Sequence, residues 1–244
     1  MTGTMRSRSF DRAAEEYERG RPGYPKALLD LVPVDRGATV LDLGAGTGKL
    51  TRVLVVRYAR TIAVEPLDGM RAILEREVPE AEAHAGAAEA IPLSDAAVDA
   101  VFAAQAYHWF ATDAAVAEIA RVLRPRGVLV LVWNEPSPSQ PSPLPEAYRR
   151  RLSELHGRRP DEEEESNRLA PIERGPFGPI ESGSVEHEQA NDRDGVLAFA
   201  ASTSWIAHRP QRERDAILTE LAGLLPPGEY TFPMWAEVTW AVRT

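Results

Sequence analysis

Cysteine is absent from the 244 residues, which excludes disulfides, thiolate metal sites and a cysteine nucleophile and suits a reducing compartment. Positive charge is scarce: 28 Lys and Arg stand against 37 Asp and Glu, a formal net charge of -9. With no basic stripe interleaved with aromatics, a nucleic-acid backbone would be repelled overall. No stretch approaches the roughly 18 apolar residues that a membrane span needs, and residues 1–20 are polar and charged rather than apolar. The five histidines, His84, His108, His156, His187 and His208, never fall at metal-ligand spacing with a neighbouring acid. These shortages together predict a soluble, cytoplasmic protein that acts on a small molecule, without a metal, a nucleic-acid partner or a membrane. They leave the oligomeric state open.

What is present suffices for one substantial core, since 43% of the residues are hydrophobic. Short apolar runs at 39–43, 61–65, 82–85, 98–103 and 128–133 alternate with helical stretches at 49–58, 67–77 and 112–124. That alternation predicts an α/β fold, a mostly parallel sheet with helices on both faces. Two later strand candidates are 181–189, which alternates through Val185, and 230–243, rich in aromatic and β-branched residues. Residues 136–145 carry prolines densely enough for an extended, semi-rigid connection. Helical segments at 192–201 and 211–224 fall in the same half and predict a small cap. Arg149, Arg150 and Arg151, the pair Arg158 and Arg159, and the acidic run 161–165 read as solvated surface. The whole chain, 1–244, is expected to be one domain, with 1–30 as an amino-terminal lid segment and 136–180 and 191–227 as cap or insertion elements.

The densest information lies at residues 40–48, Val-Leu-Asp-Leu-Gly-Ala-Gly-Thr-Gly. A buried strand delivers the chain to Gly44, Gly46 and Gly48, where the missing Cβ atoms permit unusual dihedrals and let backbone amides approach a ligand. The next strand ends on Glu65. An acid about 20 residues beyond a glycine turn, on a second parallel strand, is where a ribose hydroxyl pair is usually held. Spacing then sorts the cofactors. A dinucleotide turn needs glycine at 49, which is Lys49; a P-loop needs glycine five residues before Gly48, which is Leu43, and Ser or Thr after Lys49, which is Leu50.

The remaining pattern, Asp-x-Gly-x-Gly-x-Gly from Asp42, resembles the first motif of class I S-adenosylmethionine-dependent methyltransferases. The stretch Glu65-Pro66-Leu67-Asp68-Gly69-Met70 resembles that family's second motif. Gly86-Ala87-Ala88-Glu89-Ala90-Ile91-Pro92-Leu93 is similar to its Gly-Asp-Ala-Glu-x-Leu-Pro-Phe segment, with Ala87 in place of the usual acid. Gln105-Ala106-Tyr107-His108-Trp109-Phe110 resembles the Gln/Ser-x-x-His-Trp-Phe segment of a branch that includes trans-aconitate methyltransferase-like proteins. Glu118 to Val128 looks like the family's helix, proline-glycine turn and fifth strand. At the amino end, Phe10, Ala13, Ala14, Tyr17 and Arg21 share one helical face and lead into Arg21-Pro22-Gly23-Tyr24-Pro25, which resembles the branch's Tyr-x-x-x-Arg-Pro-x-Tyr-Pro segment.

The resemblance implies a Rossmann-like sheet of seven strands, the last antiparallel, and S-adenosylmethionine as cofactor. It implies that Asp42, Gly44, Ala45, Gly46 and Gly48 cradle the cofactor, that Glu65 takes the ribose, and that Pro66 and Met70 border the adenine. Backbone groups at Ala88 or Glu89 would meet the adenine amino group in the absence of the acid at 87. Tyr17 and Arg21 would meet the methionine carboxylate, for which an arginine is suited, with Gln105 nearby. Tyr24, Tyr107, His108 and Trp109 would border the methyl acceptor. His108 is the candidate base if the acceptor is a hydroxyl or carbon acid, and an orienting group otherwise; a carboxylate acceptor needs no base. Two other readings stay open on the residues: a protein that binds S-adenosylmethionine without chemistry, and an NAD(P)-dependent oxidoreductase.

Overall fold

A computed structural model describes residues 14–157 and 168–244. Phe10 and Ala13 of the amino-terminal stripe, Arg158, Arg159 and the acidic run 161–165 lie outside the described residues. The chain divides into two compact units, one built from residues 24–135, 168–185 and 235–244, the other from residues 14–23, 136–157 and 186–234.

The larger unit is built on β1 (Thr39–Leu43), β2 (Arg60–Val64), β3 (Glu82–His84), β4 (Val98–Ala104) and β5 (Leu123–Pro136). Pairings β3–β2, β2–β1, β1–β4 and β4–β5 are all parallel. β1 and β2 each bury four consecutive residues, the unbroken apolar reading of a strand covered on both faces. Helix α1 (Ala14–Gly20) belongs to the other unit; here α2 (Thr51–Arg57), α3 (Asp68–Glu77) and α4 (Asp113–Val122) return the chain between parallel strands. Thr112 caps α4 by accepting from the Ala115 N–H at 3.2 Å.

Because successive side chains leave opposite faces of a strand, the sheet carries two cores. Val40, Phe102, Val130 and Val132 pack on one face with Leu50, Val53 and Leu54 around α2. Leu41, Val101, Leu129 and Leu131 pack on the other with Val116, Ile119 and Val122 of α4. The full sheet has seven strands in the order β3-β2-β1-β4-β5-β7-β6, where β6 is Glu181–Asp192 and β7 is Glu229–Val242. It is mixed, with the last strands antiparallel: Arg243 N–H, just past β7, donates to Gly127 O near the start of β5 at 2.8 Å. β6 alternates between exposed and half-buried residues, with Glu181, Glu186 and Glu188 along this edge strand, charge that discourages further pairing.

The structure differs from expectation at β5, which begins at Leu123 rather than at 128. Val98 already pairs with Leu123, and the register then shifts before Ala100 meets Val128. Arg126 takes φ 64° in that bulge, so the Arg124-Pro125-Arg126-Gly127 turn is absorbed into a bent strand.

The second unit has its own apolar cluster, with Tyr148 from α5 (Glu146–His156), Val196 and Ala200 from α7 (Arg193–Ala201), Ile206 from α8 (Ser204–Ala207), and Ile217 and Leu221 from α9 (Gln211–Leu224). Helix α6 (Ala170–Arg174) belongs to the larger unit. Helix α1 (Ala14–Gly20) lies against α7. A Cβ on Gly20 would stand 2.1 Å from the Phe199 backbone nitrogen, so the two backbones meet where only glycine fits. Among the described residues no helix is long and apolar enough to cross a membrane.

Candidate functional site

The sheet order places the chain reversal at β1. After β1 the chain builds β2 and β3 to one side, then crosses to β4 on the other. In open α/β sheets the crevice beyond the carboxyl ends of strands at such a reversal is the ligand site. Two segments end there, residues 44–48 after β1 and residues 105–110 after β4.

These segments touch. A Cβ added to Gly44, at φ 70°, would come within 2.8 Å of Ala106 Cβ and 3.6 Å of Phe110 Cε1. Gly48, at φ 87°, has a different neighbour: a Cβ there would meet Leu74 Cδ1 at 2.6 Å and Val78 Cγ2 at 2.9 Å. The first glycine therefore admits the β4 turn and the third admits α3.

Glu65, 5% exposed at the end of β2, spans the floor of the crevice. Its Oε2 accepts from the Gly46 N–H at 2.8 Å and its Oε1 from the Leu67 N–H at 2.9 Å. The backbone around it is fixed by Glu65 N–H donating to His84 O at 3.1 Å and by Arg71 Nη1 donating to Glu65 O at 3.1 Å. Of the neighbouring candidates, Ala45 and Met70 are buried and Pro66 is exposed.

Asp42 lies beneath the turn, 1% exposed. The Thr51 hydroxyl, at the start of α2, donates to Asp42 Oδ2 at 2.6 Å. Burial, opposed by that hydrogen bond and assisted by the negative charge of Glu65, pushes the Asp42 carboxyl up to about 7. Among the described residues, Asp42 Oδ1 and Thr47 Oγ1 are buried without a hydrogen-bond partner. Native proteins rarely leave such atoms unpaired, so these two fit a turn that receives polar groups of a ligand. Thr51 carried no sequence signal, because nothing in its spacing from Asp42 marks the pair.

The segment at Ala87 folds as a short turn, with Ala90 N–H donating to Ala87 O at 3.1 Å. Ala88 is buried and Glu89 exposed. Residues 91–95 are tied to α4 by two side chains whose sequence context marks only a helix. Glu118 Oε1 accepts from the Ile91 N–H at 2.9 Å. Arg121 donates to Ile91 O, Leu93 O, Asp95 and Glu118, and that guanidinium holds the Glu118 carboxyl below its ordinary range.

At the end of β4, Gln105 has φ 51°, an uncommon conformation for a residue other than glycine. Its Nε2 donates to Asn134 O at 2.9 Å and Glu135 Oε1 at 3.1 Å, which joins the ends of β4 and β5. A single helical turn, Tyr107–Trp109, follows. His108 and Trp109 are exposed, their rings 4.8 Å apart. Tyr107 points the other way. It is wholly buried, stacked edge-on against Phe110 with ring centres 5.7 Å apart, and its hydroxyl has no hydrogen-bond partner among the described residues. The structure thus places His108 and Trp109, not Tyr107, on the open side of the segment. Tyr24 packs against the core around α2.

Tyr17 and Arg21 fall in the second unit. Arg21 Nε donates to Ser202 Oγ at 3.0 Å, and its guanidinium lies 5.2 Å from the Tyr17 ring centre and 4.7 Å from that of Phe199.

A family model described as a methyltransferase domain matches residues 41–131. An uncharacterized methyltransferase of Mycobacterium tuberculosis is 39% identical over 219 residues, covering 90% of this chain and 86% of that protein. A candidate type II methyltransferase from Anaeromyxobacter dehalogenans superposes with a TM-score of 0.68 at 30% identity, over 91% of this chain and 97% of the other. A Haemonchus contortus N-methyltransferase solved with S-adenosylhomocysteine shares the fold, with a TM-score of 0.56 at 17% identity over 96% of this chain and 57% of the other.

Proposed function

Because the chain belongs to the class I S-adenosylmethionine-dependent methyltransferases, we propose that it transfers the methyl group to oxygen or carbon of a small-molecule acceptor, a carboxylate included. The observation that carries the reading is the Glu65 carboxylate lying across the glycine turn at the β1–β2 boundary, 2.8 Å from the Gly46 N–H. It stands where the two hydroxyls of a ribose are held in this class of sheet. The same proposal gives the cofactor to Asp42, Gly44, Ala45, Gly46, Gly48, Glu65, Pro66, Met70, Ala88, Glu89 and Gln105. Tyr24, His108 and Trp109 border the acceptor; Tyr107, buried against Phe110, supports the turn that carries His108 and Trp109.

When bound, the cofactor supplies a methyl group already activated by a sulfonium. The protein's work is then alignment and exclusion of water, worth up to about 7 to 11 kcal/mol in favourable cases. Gly44 lets the β4 turn approach the β1 turn closely, so the residues that meet the acceptor are set by the same backbone that cradles the cofactor. His108, exposed on that turn, takes the proton when the acceptor is a hydroxyl or a carbon acid. With a carboxylate acceptor it only orients. Trp109 offers an apolar wall beside it, and its ring face favours a neighbouring cation by about 0.5 to 2 kcal/mol.

Incubating the protein with methyl-labelled S-adenosylmethionine and fractionated metabolite pools tests this reading. A labelled small-molecule product is expected. Cofactor binding with no product in any pool would leave a binding protein, and label appearing only on macromolecules would overturn the small-molecule acceptor.

A further inference from the structure

Among the described residues Arg168 meets no carboxylate, and it lies instead on an aromatic ring. Arg168, half-buried, sets its guanidinium 4.1 Å from the ring centre of Trp133. Among the described residues none of its N–H groups meets an acceptor. Arginines on neighbouring elements behave differently: Arg121, Arg124 and Arg174 meet carboxylates at 2.8, 2.5 and 2.6 Å. A guanidinium lying over an indole uses its face, which leaves its in-plane N–H donors to meet an anion. That is the preorganised form of an oxyanion clamp, since stacking restrains the side chain before any anion arrives.

Its place in the sheet makes the arrangement relevant to the reaction. Trp133 is 7% exposed and follows Val132, the β5 partner of Ala104 at the end of β4. Gln105 bridges the same two strand ends. Only β4 separates β5 from β1, so the end of β5 lies two strand spacings, roughly 10 Å, from the glycine turn. His108 and Trp109 leave from the strand in between.

We propose that Arg168, held on Trp133, recognises an oxyanion of the methyl acceptor, a carboxylate or a phosphate. The inference rests on the methyltransferase reading and narrows it: the acceptor carries a negative group that the Arg168 fork receives, while the atom to be methylated lies toward His108. Neutral analogues of the acceptor lose that anchor.

The full chain, saturated with S-adenosylhomocysteine, is titrated calorimetrically with benzoate, succinate and inorganic phosphate, and with the neutral methyl benzoate. At least one anion is expected to bind and methyl benzoate is not. Tighter binding of a carboxylate than of phosphate assigns the source to a carboxylate, and the reverse order to a phosphate. Arg168→Gln should weaken the anion by at least about tenfold, as loss of charged hydrogen bonds does, and Arg168→Lys by less, since it keeps the charge and loses the fork. S-adenosylhomocysteine affinity should be unchanged in both. Equal anion binding by wild type and Arg168→Gln, or no anion bound by the loaded wild type, overturns the proposal and leaves the methyltransferase reading standing. A parallel loss of S-adenosylhomocysteine affinity in Arg168→Gln overturns it also, placing Arg168 at the cofactor. Failure of the wild type to bind S-adenosylhomocysteine at all removes the underlying reading, and this inference with it.

Discussion

Gly46 and Glu65, nineteen residues apart, share a hydrogen bond of 2.8 Å from backbone N–H to carboxylate. The bond joins the turns after two adjacent parallel strands. It fixes one buried carboxylate across the crevice floor, where the proposed cofactor would meet it.

Glu65→Ala removes that carboxylate. Cofactor affinity measured calorimetrically should fall by at least about tenfold, the size expected from losing charged hydrogen bonds. Unchanged affinity would take Glu65 out of the binding site.

Gly44→Ala tests the meeting of the two turns. The new Cβ would stand 2.8 Å from Ala106 Cβ at φ 70°, so the β4 turn must shift and the backbone pays a left-handed cost of about 1 to 2 kcal/mol. Activity should drop more steeply than thermal stability, because His108 follows Ala106 by two residues. A variant with normal turnover would show that the spacing of these turns does not matter to the reaction.

Asp42 makes stability depend on pH. Burial holds its folded-state carboxyl at about 7, against an ordinary 3.8, so the folded chain keeps a proton that the unfolded chain releases. The group's contribution is complete below about pH 4 and is lost as the pH rises through about 7. Asp42→Asn keeps an oxygen to accept from Thr51 and has no proton to lose. Thermal melts across pH 4 to 8 should therefore decline less toward high pH for Asp42→Asn than for the wild type; parallel curves would refute the assignment.

Arg121→Ala releases the loop that Arg121 ties to α4 through Ile91 O and Leu93 O. Leaving those carbonyls with water alone, and Glu118 with only the Ile91 N–H, should cost about 1 to 3 kcal/mol. Amide exchange should rise across residues 88–95 ahead of the rest of the sheet. Uniform exchange would mean that the loop is held by its apolar residues.

His108→Ala should lower turnover by about 100-fold or more if His108 removes a proton, with cofactor affinity unchanged. Steady-state kinetics on the labelled acceptor decide it, and full activity would leave His108 an orienting or packing role.

Much of this site is written locally. The Asp-x-Gly-x-Gly-x-Gly turn, the acid ending β2, and the strand runs of β1, β2 and β4 are readable because each rests on neighbours in the chain: an apolar run makes a buried strand, and glycine permits a positive φ. Other features are long-range and left no local trace. Thr51 is not marked as the partner of Asp42, nor Glu118 and Arg121 as the clasp on residues 91–95. The bent start of β5 comes from its pairing with β4, which overrides the turn that Pro125 and Gly127 suggest.

The residues from 105 to 110 show the division most clearly. Composition alone marks them as a polar and aromatic cluster after a strand. Which rings face outward depends on a single helical turn that buries Tyr107 against Phe110 and turns His108 and Trp109 away from the core. A strand or a glycine turn is specified by contacts a few residues apart, whereas the direction of a side chain and the company of a charge such as Arg168 are set by packing between segments far apart in the chain.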